Sequence, residues 1–190
     1  MFLEDDKLKV EYKQLYPLFD NRLFRQLERE ITYEERDQII KIFGRTVRIP
    51  RNQSAYGDFG VKYTYSNVTI PAKPWTPLLE KIRDDVTHMT GHTYNFVLLN
   101  RYNDESQYVS FHCDDEREIA TDVPIVSVSF GQTRNIVFKC KTSGKTHELP
   151  LSNGTLMSMD HETNQNWYHS IPKGKFRMSV RLSLTFRKIN

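Results

Sequence analysis

The sequence lacks the features that mark secreted, membrane or disulfide-bonded proteins. Its two cysteines, Cys113 and Cys140, are too few for a disulfide framework and do not have a zinc-binding spacing. No apolar run approaches the ~20 residues of a transmembrane helix, and the first residues are acidic where a signal peptide would be basic. Internal repeats and low-complexity segments are also absent. We therefore expect a soluble, intracellular protein with no membrane association.

What the sequence does contain is typical of a globular enzyme or binding protein. Its 190 residues are 38% hydrophobic and 12% aromatic, which predicts a single domain, residues 1–190, and we expect a monomer. A net charge of +3 is compatible with a polyanionic partner without demonstrating one. The many tyrosines and phenylalanines supply flat surfaces for packing or for stacking on bases.

Apolar periodicity predicts two helices that precede most of the strands. The first has apolar residues every fourth position, with Glu28 among its solvent-facing residues. The second carries an apolar stripe after a proline-rich entry and is expected to end at Gly91. The apolar positions are Leu23, Leu27 and Ile31 in the first helix and Leu78, Leu79, Ile82, Val86 and Met89 in the second.

Short β-like segments dominate the second half of the chain. Alternating residues separated by turn signals predict closely spaced strands from residue 94 onward, as in a meander or barrel. A strand or hairpin is also expected at 39–45, and a strand within 57–69 has Tyr63 and Tyr65 on one face. We predict an α+β fold built on a double-sheet jelly roll, which can hold a metal between its sheets.

The motif His112-Cys113-Asp114 is a candidate metal site. In a strand, His112 and Asp114 would share one face and Cys113 would point away. A histidine, a carboxylate and a distant second histidine form the facial triad of non-heme Fe(II) enzymes. One His-x-Asp can arise by chance, and His169 is favoured only modestly over His161 as the third ligand.

The final predicted strand places two arginines on one polar face. Val180, Leu182, Leu184 and Phe186 alternate there with Arg181, Ser183, Thr185 and Arg187. Burying a guanidinium is costly unless an anion pairs with it. This face therefore predicts a bound ligand, a small dicarboxylate that also chelates the metal. An exposed edge strand with solvated arginines is the alternative.

Taken together, these segments resemble the AlkB family of Fe(II)- and 2-oxoglutarate-dependent dioxygenases. The resemblance covers about residues 39–189 and is closest to the eukaryotic subgroup that repairs alkylated bases in duplex DNA. It implies a double-stranded β-helix core at 94–189, N-terminal helices and a nucleotide-recognition hairpin region at 39–70. Four segments carry it: Asn100-Arg101-Tyr102, residues 112–118, Asn164 with Trp167-Tyr168-His169-Ser170, and residues 181–187.

The resemblance also implies the site residues. Iron would be held by His112, Asp114 and His169. The carboxylates of 2-oxoglutarate would be held by arginines with help from neighbouring polar groups, namely Arg181, Arg187, Asn100 and Tyr102. Ser183 stands where the family usually has asparagine, so we expect weaker cosubstrate binding.

The implied activity is oxidative dealkylation of DNA bases, with N1-methyladenine and N3-methylcytosine as expected lesions. Fe(II), 2-oxoglutarate and O2 are the implied cofactors. Hydroxylation of an N-methyl group gives a hemiaminal that collapses to formaldehyde and the restored base, while 2-oxoglutarate becomes succinate. Alkylated duplex DNA is the favoured partner, in the nucleus if the source is eukaryotic. A dealkylase of single-stranded DNA or RNA, or a catalytically silent nucleic-acid-binding module, remains an alternative.

Substrate-binding residues follow partly from the resemblance and partly from the chemistry of base recognition. A base acted on by an enzyme must leave the stack and be gripped by flat and polar groups. Phe43 aligns with a finger inserted where the flipped base was, and Glu116 would read the base edge with support from Asp115. Stacking is expected from Tyr63, Tyr65 and His169, and phosphate contacts from Arg45, Arg51, Lys139, Lys141, Lys145 and Lys173.

Overall fold

The computed structural model describes residues 2–34, 39–42, 44–65 and 68–190. In this part of the chain the helices are α1 (Arg22–Glu30), α2 (Pro77–Thr90) and α3 (His161–Asn166). The strands are β1 (Phe2–Asp5), β2 (Leu8–Gln14), β3 (Ile39–Ile42), β4 (Arg45–Arg48), β5 (Asn52–Gly57), β6 (Lys62–Tyr65), β7 (Val68–Pro71), β8 (Lys73–Pro74), β9 (Phe96–Tyr102), β10 (Val109–His112), β11 (Ile125–Gly131), β12 (Arg134–Cys140), β13 (Thr146–Leu151), β14 (Thr155–Met159), β15 (Trp167–Ile171) and β16 (Arg181–Arg187).

Two facing sheets form the centre of the protein, which confirms the predicted jelly-roll fold. The larger sheet has the strand order β1-β2-β14-β11-β16-β9-β5-β8, and the smaller has the order β10-β15-β12-β13. The eight strands from β9 onward are divided equally, four in each sheet. Since β2 and β5 flank these strands in the larger sheet, residues outside 94–189 extend the same structure.

Strand β16 shows how sequence alternation divides the interior into two layers. Leu182, Leu184 and Phe186 pack on the face of the larger sheet that α1 and α2 cover. Arg181 and Arg187 point to the opposite face, into the space between the sheets. The alternation of apolar and polar residues in this strand therefore places the helices on one side and the functional cavity on the other.

The two predicted helices are present. Helix α2 begins after Thr76, whose side chain accepts from the amide of Leu79, and ends at Gly91 in the left-handed conformation at φ 75°. For α1 the expectation that Glu28 faces water is wrong, because Glu28 accepts two hydrogen bonds from the Arg101 guanidinium at 2.8 Å each. None of the helices in the described ranges is long and apolar enough to cross a membrane.

Three hairpins modify the sequence-based picture. The expected hairpin near residue 40 is formed by β3 and β4, and it is a separate two-stranded sheet. The single strand expected within 57–69 is instead two antiparallel strands, β6 and β7. The chain also begins with strands β1 and β2, not with a helix, and their buried Leu8 and Val10 extend the core of the larger sheet.

Candidate active site

The three candidate metal ligands meet between the sheets. His112 is the last residue of β10, and His169 is its partner across the antiparallel β10–β15 pairing. One ligand atom from each of His112, Asp114 and His169 lies within 4.8 Å of the others. The expectation that Asp114 shares a strand face with His112 is wrong, because β10 ends at His112 and Asp114 lies in the following loop. That loop still brings Asp114 Oδ1 to 3.7 Å from Nε2 of His112.

The environment keeps these groups in the protonation states that metal binding requires. Burial lowers the pKa of His169 to about 3 and also lowers the pKa of His112. Burial alone would raise the pKa of Asp114, but Arg187, His169 and His112 outweigh it and hold this pKa below its ordinary value. Two neutral imidazoles therefore face one carboxylate.

This donor set fits Fe(II). Two imidazoles and a carboxylate are the ligands of the facial triad, which leaves positions open for other molecules. His112 Nδ1 lies 2.9 Å from the carbonyl oxygen of Ser110, which fixes the ring and leaves Nε2 facing Asp114. The buried Nδ1 of His169 has no hydrogen-bond partner among the described residues.

Two buried arginines line the same cavity, which rules out the exposed edge strand as an explanation of their pattern. Arg181 is 1% exposed and Arg187 is 4% exposed. Arg187 donates from Nη2 to Oδ2 of Asp114 at 2.6 Å, and Arg181 donates from Nη2 to Oγ of Ser129 at 3.0 Å. The remaining Nε and Nη1 groups of both arginines lack hydrogen-bond partners within the described ranges. Because unpaired buried guanidinium groups are costly, the cavity is suited to an anion.

The other expected cosubstrate residues line this cavity too. Asn100 and Tyr102 lie on β9 beside β16, and Ser183 lies between the two arginines. The Ser183 hydroxyl is 2.9 Å from the hydroxyl of Ser127, so it is already paired within the protein. The cavity thus combines a candidate metal-binding triad with polar groups along one wall, as a dicarboxylate that also chelates a metal requires.

The predicted base-reading residues divide between the cavity and the surface. Tyr63 is 1% exposed and lines the cavity, where its hydroxyl interacts with Glu116. Burial and the nearby Asp114 raise the pKa of Glu116 to about 7. Asp115 is exposed. Phe43 and the side chain of Tyr65 lie outside the described residues.

The basic residues proposed to contact phosphates are not one cluster. Arg51 is buried in the cavity wall, where its Nε donates to Oδ1 of Asn100 at 2.8 Å. Lys145 pairs with Asp5 at 2.6 Å. The remaining four side chains are exposed, and Arg45 is one of them. The other three lie over aromatic rings: Lys139 over Phe111, Lys141 over Tyr168 and Lys173 over Tyr108.

Sequence reasoning missed the residue that holds the metal-binding loop. Asn164, known before only as part of the resemblance, accepts from the amide of Asp114 at 3.0 Å and donates to the Asp114 carbonyl oxygen. Its place within a short helix could not be predicted, because α3 has too few apolar residues to show a period. His161, the competing ligand, is exposed on the same helix. Cys113 lies beside the carbonyl oxygen of Trp167 at 3.6 Å.

Comparison with known proteins agrees with this site. The sequence matches the 2OG-Fe(II) oxygenase superfamily over residues 20–187. Human DNA oxidative demethylase ALKBH2 is 46% identical over 178 residues, 89% of this chain and 68% of that protein. The mouse ALKBH2 protein is 42% identical over 197 residues, 98% of this chain and 82% of that protein. Human alpha-ketoglutarate-dependent dioxygenase alkB homolog 3 is 32% identical, with 88% of this chain and 60% of that protein covered.

The fold comparison points the same way. The solved structure of OsALKBH1 superposes with a TM-score of 0.66 and covers 99% of this chain and 100% of that chain. At 16% sequence identity this likeness supports the fold alone.

Proposed function

Because this chain belongs to the AlkB family of 2OG-Fe(II) oxygenases, and is thus an Fe(II)- and 2-oxoglutarate-dependent dioxygenase, we propose that it removes alkyl groups from DNA bases. The ALKBH2 proteins that it resembles are DNA oxidative demethylases. The observation that carries the proposal is one cavity lined by His112, Asp114 and His169 together with Arg181 and Arg187.

The bound cofactors supply the oxidation of a C–H bond, in which O2 is consumed and 2-oxoglutarate becomes succinate and CO2. The residues of the chain bind the metal and 2-oxoglutarate and orient them. His112, Asp114 and His169 would hold the metal, and Arg187 keeps Asp114 ionised and fixed by its hydrogen bond. Arg181, at the start of β16, would bind the distal carboxylate of 2-oxoglutarate with its unpartnered N–H groups.

The side chains at the substrate end suit a methylated base. Methylation of N1 in adenine or N3 in cytosine makes the base cationic, and each base keeps an exocyclic amine beside the methylated nitrogen. Oε2 of Glu116 is buried and has no hydrogen-bond partner in the described part of the chain, so it can accept from that amine. Tyr63 would pack against the base as one wall of the cavity. Asp115 is proposed to support Glu116.

The remaining assignments concern how DNA is bound. We propose a single domain in which residues 39–70 recognise the substrate and residues 94–189 form the catalytic core. Phe43 would insert into duplex DNA beside the flipped base, and Tyr65 would help to stack the base. Arg51 would contact the substrate from the cavity wall. The protein would act as a monomer on alkylated duplex DNA, in the nucleus if the source is eukaryotic.

The decisive experiment measures formaldehyde. Purified protein is incubated with Fe(II), 2-oxoglutarate and an oligonucleotide carrying N1-methyladenine, with Asp114→Ala as the control. We expect formaldehyde from the wild-type protein and none above background from the variant. Binding of the oligonucleotide without formaldehyde or succinate would instead indicate a silent nucleic-acid-binding module.

A second comparison addresses strand preference. The same lesion is presented in duplex DNA, single-stranded DNA and RNA to the wild-type protein and to Phe43→Ala. We expect faster repair of the duplex and a selective loss of that activity in the variant. Equal duplex activity in Phe43→Ala would show that this residue is not the inserted finger, and faster turnover of single strands would reverse the proposed preference.

A further inference from the structure

Arg134 is a buried arginine that none of the recognised motifs contains. It lies at the start of β12 and is 3% exposed. Its guanidinium donates to the backbone carbonyl oxygens of Asp104 at 3.2 Å, Gln107 at 2.9 Å and Pro172 at 2.5 Å. These acceptors belong to two different loops, one after β9 and one after β15. Arg134 therefore joins both loops to the smaller sheet.

The same guanidinium lies against a residue of the cosubstrate pocket. The Cζ atom of Arg134 is 5.6 Å from the ring centroid of Tyr102, and the Cζ atom of Arg181 is 5.3 Å from it. Two buried cations thus share one aromatic ring. Burial lowers the pKa of Arg181 to about 10, and Arg134 contributes to this shift. The two positive charges repel each other, and an anion bound beside Arg181 would offset that repulsion.

We propose that Arg134 is a positioning residue for the distal carboxylate of 2-oxoglutarate. Its Nη groups are occupied by backbone carbonyls, so it acts through Tyr102 and Arg181 and does not need to contact the carboxylate itself. It holds the Tyr102 ring against Arg181 and adds positive charge to that end of the cavity. The inference rests on the proposed cosubstrate pocket and is independent of whether DNA is the substrate.

The test measures cosubstrate binding by calorimetry in the full chain loaded with Mn(II) in place of Fe(II). Two ligands are compared: 2-oxoglutarate, and oxalate, which chelates a metal but is too short to extend toward Arg181. In Arg134→Met we expect the Kd for 2-oxoglutarate to rise roughly 10-fold, as on loss of a residue that orients a ligand-binding group. Oxalate binding should be unchanged. Arg134→Lys, which keeps the charge but not all three hydrogen bonds, should show a smaller rise.

Controls separate this role from general support of the fold. Arg101→Met removes a partly buried arginine that pairs with Glu28 on α1, and it should affect neither ligand. Thermal unfolding of each variant without ligand reports any loss of stability. If Arg134→Met weakens the binding of 2-oxoglutarate and of oxalate equally, the residue only supports the fold. Unchanged 2-oxoglutarate binding would also overturn the proposal. Neither result depends on activity toward DNA.

Discussion

Arg187 and Asp114 form a buried ion pair that joins the proposed cosubstrate pocket to the candidate metal site. The Arg187 Nη2 atom is 2.6 Å from Oδ2 of Asp114, and both side chains are about 5% exposed or less. This pair explains how a carboxylate can remain ionised between two imidazoles far from water. It also leaves Nε and Nη1 of Arg187 without partners in the described structure. One arginine can therefore orient a metal ligand and bind a second anion.

Replacing Arg187 should weaken both the stabilisation of Asp114 and the binding of 2-oxoglutarate. In Arg187→Met the buried carboxylate of Asp114 loses its countercharge, which should lower the free energy of unfolding by about 3 kcal/mol or more. Denaturant unfolding of the metal-free protein measures this loss, and calorimetry measures the accompanying loss of 2-oxoglutarate affinity. Arg187→Lys, which keeps a positive charge, should recover part of the stability. Wild-type stability in Arg187→Met would show that the pair does not hold Asp114.

Metal binding should stabilise the fold through the triad. A ligand that binds only the native state at 100 times its Kd adds about 2.7 kcal/mol. We expect Mn(II) to raise the Tm of the wild-type protein and to leave the Tm of Asp114→Ala unchanged. His161→Ala is the matched control, because His161 is exposed on α3 and should leave the shift intact. A lost shift in the His161 variant would contradict the assignment of His169 as the third ligand.

Restoring the asparagine usual in the family should improve cosubstrate binding. Ser183 lies in the cavity wall, and its hydroxyl is paired with Ser127. In Ser183→Asn an amide can reach further into the cavity and add a hydrogen bond, which typically contributes about 1 kcal/mol. We expect a lower KM for 2-oxoglutarate with little change in kcat. Ser183→Ala should not lower this KM, and a raised KM in Ser183→Asn would mean that the amide does not fit.

The hydrogen bond between Tyr16 and Asp85 should contribute stability that depends on pH. The Tyr16 hydroxyl donates to Asp85 Oδ2 at 2.6 Å. Burial alone would raise the pKa of Asp85, but hydrogen bonds from Lys81 and Tyr16 lower it below 3.8. The stabilisation is therefore present above pH 3.8, and it is lost as the pH falls through the lowered pKa of Asp85.

Replacing Tyr16 tests that dependence. Because Asp85 is about one third exposed, Tyr16→Phe should cost only about 1 kcal/mol at neutral pH. The difference from the wild-type protein should shrink in strongly acidic solution, as measured by urea unfolding at several pH values. Tyr168→Phe, at an exposed position, should cost nothing. A cost for Tyr16→Phe that does not change with pH would show that Asp85 is not the group responsible.

Local features of the sequence determined much of the fold. Helix α2 was predictable with its Gly91 end, because an apolar stripe, a proline entry and a glycine C-cap all act within a few residues. The faces of β16 were predictable for the same reason, since alternation places Arg181 and Arg187 together whatever the strand's neighbours are. The order and spacing of the motifs then revealed the resemblance to a family, and that resemblance implied the chemistry before any distance was known.

Other features were decided only by the tertiary structure. The hairpin of β1 and β2 could not be predicted, because the burial of Leu8 and Val10 depends on pairing with β14, more than 140 positions along the chain. The candidate metal site required β15 to pair with β10, and Asn164 to hold the loop that carries Asp114. The sequence by itself determined which residues could bind metal and carboxylate. Long-range strand pairing decided how closely they meet, because it is fixed by contacts between residues far apart in the chain.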